Sequence, residues 1–276
     1  MSKNQQLKKV VVFDLDETLG YFLEFSIFCD SLNLFNGMNN KTNATYKQDE
    51  FNELLDLYPE FIRPNILPIL KYLKRKVEED NCDAVMIYTN NTGPKEWAQH
   101  IKSYFESKIK FHLFVQVIGA FKVKGKRIEM CRTTYDKTVG DFIKCSKFPK
   151  DTQICFLDDV YYPDMNYDNV YYIKVKPYIH DLPFDDIIDR YLKSPFGEKI
   201  KDKSYFIDFM NKNMKEYEYA YVEKTQEEVD IDKIITKQIM IYLQDFFRNG
   251  PNGVKSINQT KSREKNSSKN KTRKQR

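Results

Sequence analysis

The sequence predicts an α/β fold, with a central parallel sheet flanked by helices. Three observations predict it. Four short runs rich in β-branched and aromatic residues, at 9–14, 83–88, 153–158 and 169–175, read as buried strands. Helical periodicities lie between the runs, and strands alternating with helices imply a parallel sheet covered on both faces. Acids, hydroxyls and amides gather just past the ends of the runs, where parallel sheets carry their sites.

The first run (KVVVFD) leads into Asp14-Leu15-Asp16-Glu17-Thr18-Leu19. Residues two apart on an extended chain point the same way, so Asp14 and Asp16 can face one phosphorus atom or one metal ion. A bare D-x-D-x-T arises by chance in roughly one chain in ten to thirty of this length at ordinary Asp and Thr usage. Two acids after a strand also serve as a turn and a helix cap, so the motif alone leaves both readings open. An insertion, 20–60, follows. It starts aromatic, passes through NGMNNKTNAT and ends in the helix-like QDEFNELLDLY. Segment 65–79 reads as a helix with Ile66, Leu67, Ile69, Leu70, Leu73 and Val77 on one face and Pro64 near its first turn.

The second run (DAVMIY) is followed by Thr89-Asn90-Asn91. A hydroxyl and backbone N–H groups at a strand–helix junction can bind phosphate oxygens, and Thr89 could equally be a helix N-cap. A helix over 94–106 repeats Trp97, Ile101 and Phe105 at i, i+4 and i+8. Segment 111–132 contains FKVKGKRIE, a hairpin signal with Gly125 at its turn. Insertions of this kind near a site commonly act as caps or substrate-reading elements. Lys137 opens a short helix over 137–146; one lysine among many, it could neutralise a carboxylate next to a phosphate. The third run (QICFLD) ends in Asp158-Asp159, adjacent acids that repel unless a cation or hydrogen bonds offset them, or that simply form a turn. Together with Asp14 they would make an oxygen-rich pocket suited to Mg²⁺. Charged helical patterns fill 196–250. In that extension 231–247 is amphipathic and expected to pack on the core rather than on a partner. The tail, 251–276, is poor in apolar residues and expected to be disordered.

The composition is that of a globular chain: 276 residues, 41% hydrophobic and 14% aromatic, with a formal charge of +5. The charge is uneven. Residues 255–276 hold nine Lys or Arg and one Glu, a net of +8, which leaves −3 on residues 1–254. Five cysteines (29, 82, 131, 145 and 155) form no C-x-x-C and are expected as unpaired thiols in a reducing, intracellular compartment, cytoplasmic or nuclear. No signal peptide and no run near the roughly 20 apolar residues of a membrane helix is found, so no membrane partner is expected.

D-x-D-x-T, then Thr, then Lys, then an acidic pair, in that order, resembles the four-part signature of the haloacid dehalogenase superfamily of phosphatases and phosphotransferases. Asp14 to Leu19 resembles the D-L-D-E-T-L of the RNA-polymerase C-terminal-domain phosphatases and their NLI-interacting-factor relatives. Arg63-Pro64 is similar to that subgroup's R-P-x-x-x-x-F-L, Tyr135-Asp136-Lys137 to its Y-x-K-D, and Tyr167-Asp168-Asn169-Val170 to its P-D-N. The resemblance covers about 9–195 and omits 20–60. Two departures stand out: Asp158-Asp159-Val160-Tyr161 replaces Asp-Asn-Ser-Pro, and Thr138 follows the lysine where an Asp is usual.

The resemblance implies a Rossmann-like phosphatase domain over 1–195 and a Mg²⁺-dependent hydrolase of phosphomonoesters, with a phosphorylated protein as the expected substrate. It implies Asp14 as nucleophile, Asp16 as acid and base, and Lys137, Thr89 and Asn90 around the phosphate. It assigns the metal to the Asp14 carboxylate, the Asp16 backbone carbonyl and the pair Asp158/Asp159, with Asp159 as direct ligand and Asp158 orienting Lys137 or a metal-bound water. Thr18 is expected to fix the turn. A nucleotide or polynucleotide-end phosphatase, with the basic tail 255–276 tracking nucleic acid, is the first alternative. A non-catalytic binding module on the same fold is the second.

Overall fold

The computed structural model describes residues 7–37, 46–217 and 220–251. The expectations for the basic tail therefore lie outside the described residues from 252 onward, as does most of the polar stretch within 20–60.

Five parallel strands form the central sheet in the order β3-β2-β1-β6-β7. They are β1 (Lys9–Phe13), β2 (Ala84–Tyr88), β3 (Phe114–Ile118), β6 (Gln153–Asp158) and β7 (Val170–Lys174). A separate two-stranded hairpin is made by β4 (Lys122–Val123) and β5 (Lys126–Arg127), with Lys124 and Gly125 between them at positive φ. The architecture is Rossmann-like in general kind. Four of the five sheet strands match the apolar runs in the sequence. The fifth, β3, falls in the stretch read only as a hairpin insertion. It is an edge strand whose Val115 is 65% exposed, so it lacks the unbroken apolar run of a central strand.

Alternation along the strands divides the core in two. Val11, Phe13, Val85, Ile87, Cys155, Leu157, Tyr171 and Ile173 face one layer, and Val10, Val12, Ala84, Met86, Tyr88, Ile154 and Phe156 face the other. The first layer is thick. It takes residues from α1 (Leu23–Phe35), α2 (Gln48–Asp56), α3 (Ile66–Glu78), α4 (Lys95–Ile109), α6 (Phe184–Lys193), α7 (Lys203–Lys215) and α8 (Gln226–Asn249). The opposite layer is closed by α5 (Val139–Ser146), through Phe142 and Cys145. Two consequences follow for the expected organisation. The described parts of the insertion 20–60 are core rather than cap: Phe25, Phe28, Phe51 and Tyr58 are fully buried, and Phe25 packs against Phe51 and Trp97. The helical extension shares that core. In α8, Ile239, Leu243 and Phe246 are buried, and the Phe246 ring lies 5.8 Å from that of Tyr171 on β7.

Cys131 and Cys145 form a disulfide, which corrects the expectation of five unpaired thiols. The hairpin and the turn after it fold the chain back so that Cys131 meets the last turn of α5, a proximity that a spacing of 14 residues does not announce. Cys29, Cys82 and Cys155 are free and buried. Among the described residues, no helix is long and apolar enough to cross a membrane.

Candidate phosphoryl-transfer site

Phe13 stands level with Ile87 on one neighbouring strand and Leu157 on the other. The residues just past these positions therefore emerge at one edge of the sheet. They do so where the chain order reverses around β1, the place at which open parallel sheets form a crevice. Asp14, Asp16, Thr89, Lys137, Asp158 and Asp159 all line one cavity of about 320 Å³.

Asp14 follows β1 directly, and its N–H donates to Leu157 O at 2.8 Å. The chain then turns tightly. Leu19 N–H reaches Leu15 O at 2.9 Å, Glu17 N–H reaches Gly20 O at 2.7 Å, and Glu17 takes a φ of 58°. Gly20 is required there, since a Cβ would come within 2.5 Å of Phe61 O and of the Phe22 ring. Arg63, fully buried, clamps the turn from below. Its Nε donates to Thr18 O at 2.6 Å, and its Nη2 donates to Glu17 O at 2.6 Å and Lys176 O at 2.9 Å. Thr18, expected to fix the turn, uses its hydroxyl across the site. That hydroxyl donates to Asp159 Oδ1 at 3.2 Å and so ties the turn to the acidic pair.

Lys137 is 1% exposed, and its ammonium bridges the Asp14 carboxylate and Asp158 Oδ2, the latter at 2.6 Å. It also lies 5.4 Å from the Tyr162 ring centroid and 5.8 Å from those of Tyr88 and Phe156. Lys137 precedes α5 rather than opening it; the N-cap is Thr138, whose hydroxyl accepts from Asp141 N–H. Asp158 thus holds Lys137, as the sequence resemblance implies, and accepts from Val160 N–H at 2.8 Å through its other oxygen. Asp14, Asp158 and Asp159 bring carboxylate oxygens within 4.8 Å of one another. Three carboxylates and one ammonium leave a net charge of −2 in a buried space, which suits a divalent cation that prefers oxygen ligands. The Asp16 side chain stands apart from that cluster. Its carboxylate accepts from Asn91 Nδ2 at 2.8 Å.

The charges follow from this packing. Burial pushes the Asp16 carboxyl up to about 6, against the pull of the Asn91 hydrogen bond. Asp159 is raised by burial and then by Asp14. Asp158 is raised by burial too, with Lys137 opposing. Burial alone would lower the Lys137 ammonium, but Asp14 and Asp158 outweigh it and hold the ammonium above its ordinary value. Burial, with repulsion from Asp14, raises the carboxyls against the pull of Lys137, while Asp14 and Asp158 raise the ammonium.

Past β2, the Thr89 hydroxyl accepts from Asn91 N–H at 2.9 Å, and Gly93 N–H donates to Asn91 Oδ1 at 2.9 Å. Thr89 is not a helix cap, because α4 begins six residues later with Pro94 at its N-cap. Asn90 lines the cavity, but its amide is committed: Nδ2 donates to the Tyr162 hydroxyl at 3.0 Å, and Oδ1 accepts from Arg132 Nη1 at 2.7 Å.

Three contributors escaped the sequence reading. Asn91 follows Thr89 and Asn90 with no role of its own in the sequence pattern, and it holds Asp16. Tyr162 braces Asn90 and walls Lys137. Arg132, fully buried, braces the loops on both sides of the site. It donates to Thr89 O, Asn90 Oδ1 and Gly119 O on one side and to Tyr135 O and Asp136 O on the other. A buried guanidinium survives only with such a set of acceptors, and no local motif announces it. No protein-family model, curated protein or solved structure matches the chain.

Proposed function

We propose that the protein is a phosphatase of the haloacid dehalogenase kind, hydrolysing a phosphomonoester through an aspartyl-phosphate on Asp14. The observation that carries the reading is the meeting of Asp14, Lys137, Asp158 and Asp159 in one cavity, with Asp16 held at its edge by Asn91. A carboxylate oxygen of Asp14 attacks phosphorus and the bond to the leaving oxygen breaks. Asp16 delivers its proton to that oxygen. It then takes a proton from the water that attacks the phosphorylated Asp14, which releases phosphate and restores both carboxyls. Lys137 and the Thr89 hydroxyl hold the negative oxygens of the transferring group, where positioning and electrostatics supply most of the rate. Asp14, Asp158 and Asp159 would hold Mg²⁺, which when bound offsets the −2 charge and polarises the phosphoryl group. A phosphorylated protein side chain is the substrate proposed from the sequence resemblance.

Hydrolysis of p-nitrophenyl phosphate tests the reading. Activity should require Mg²⁺ and fall by at least about a thousandfold in Asp14→Asn, the loss of a nucleophile. Turnover by Asp14→Asn at the wild-type rate would remove the proposed nucleophile, and an inactive wild type would favour the non-catalytic alternative.

A further inference from the structure

A second cavity, of about 70 Å³, opens beside the acidic one and shares Thr89 and Asn91 with it. The geometry points to this cavity as the subsite for the organic part of the leaving group. It is suited to a phosphomonoester whose alcohol carries a compact apolar substituent, the size of a branched aliphatic chain or the edge of one ring. The inference rests on the phosphatase reading and deepens it.

The argument starts from Asn91. Its amide donates to Asp16 Oδ2, so the oxygen that Asp16 protonates departs on the Asn91 side. Asn91 also forms the boundary with the second cavity, and whatever hangs from the leaving oxygen is directed there. Gly93 keeps that boundary open, since a Cβ on Gly93 would come within 2.9 Å of Asn91 Oδ1 and displace the amide. The walls beyond are mostly apolar, with Gln99 the uncharged polar exception: Pro94 and Ala98 at the start of α4, Val117 and Ala120 around the end of β3, and Val123 and Ile128 from the hairpin. Charge appears as Lys95 and Glu129. The hairpin expected to read the substrate thus lies beside the site, while none of the described residues of 20–60 lines either cavity. Size sets the class of substituent. A pocket that swallows a whole drug-sized ligand needs roughly 300–1,000 Å³, and an apolar cavity that admits benzene is on the order of 150 Å³. A space of 70 Å³ with an open mouth takes one small group and no nucleoside.

Two substrates separate the cavity from the chemistry: phenyl phosphate, whose ring reaches the cavity, and acetyl phosphate, whose acetate leaves without entering it. Ala98→Leu fills the cavity. Ile128→Ala removes a wall at a residue 46% exposed, where folding is insensitive to the change. Each variant should lower kcat/KM for phenyl phosphate by about tenfold, the usual discrimination of an apolar pocket, and change it less than about twofold for acetyl phosphate. Equal losses on both substrates, or no loss on phenyl phosphate, would overturn the inference while leaving the phosphatase reading intact. A wild type inactive on acetyl phosphate as well would overturn both.

Discussion

The aspartates of the site and Glu24 in α1 meet the same physical problem, a carboxyl removed from water, in different company. Asp14 and Asp158 share the Lys137 ammonium. Glu24, fully buried, has the Leu182 N–H at 3.0 Å, and burial, with Asp181 adding to it, pushes its carboxyl up to about 8. A carboxyl raised in the folded state binds its proton more tightly there than in the unfolded chain. Its stabilising contribution is complete below the ordinary value of 4.5 and is lost as pH rises through about 8. Discounted for screening, the loss is on the order of 1–2 kcal/mol. Glu24→Gln keeps an acceptor for Leu182 N–H and cannot ionise. Chemical denaturation at pH 5 and pH 9 should therefore show the variant gaining on the wild type as pH rises. Equal pH dependence in the two proteins would show that Glu24 does not carry this ionisation.

At the scale of elements, the segment from Cys131 to Cys145 supplies both Arg132 and Lys137 and is closed by the disulfide. Arg132 ties it to the Thr89 loop, Asp141 accepts from Thr133 N–H at 2.7 Å, and Thr138 caps α5. By the chain-entropy account, a closed loop of roughly 15 residues contributes about 3 kcal/mol. Thermal unfolding with a reductant should be lower by several degrees, and Cys131→Ser/Cys145→Ser should unfold at the reduced temperature with or without it. A midpoint unmoved by reduction would place the stability of the segment in its hydrogen bonds alone. This element also marks how far the sequence could be read. Asp14, Asp16, Thr89 and Asp158/Asp159 were legible because each stands at the end of an apolar run, and the order of the runs gave Lys137 its place. Arg132, Tyr162 and the disulfide act between segments distant in sequence and leave no local period. β3 was illegible because an edge strand with one exposed side does not look apolar, and α1 because its aromatic residues resemble an insertion until the core they fill is seen.

For the whole molecule, seven helices among the described residues load one face of the sheet and α5 covers the other, so the acidic cavity opens along the edge where β1, β2 and β6 end. The described helices of the extension over 196–250 pack into a core continuous with the strands. The proposed phosphatase would form one covalent bond at Asp14, and Asp16→Asn isolates that step. Acetyl phosphate has a leaving group that needs no proton, so the first transfer survives the substitution, whereas the hydrolytic step loses its base. Mass spectrometry of acid-quenched Asp16→Asn after exposure to acetyl phosphate and Mg²⁺ should find a phosphoryl group on the peptide containing Asp14. An adduct on another residue, or an unmodified variant beside a wild type that turns over the same substrate, would contradict the account.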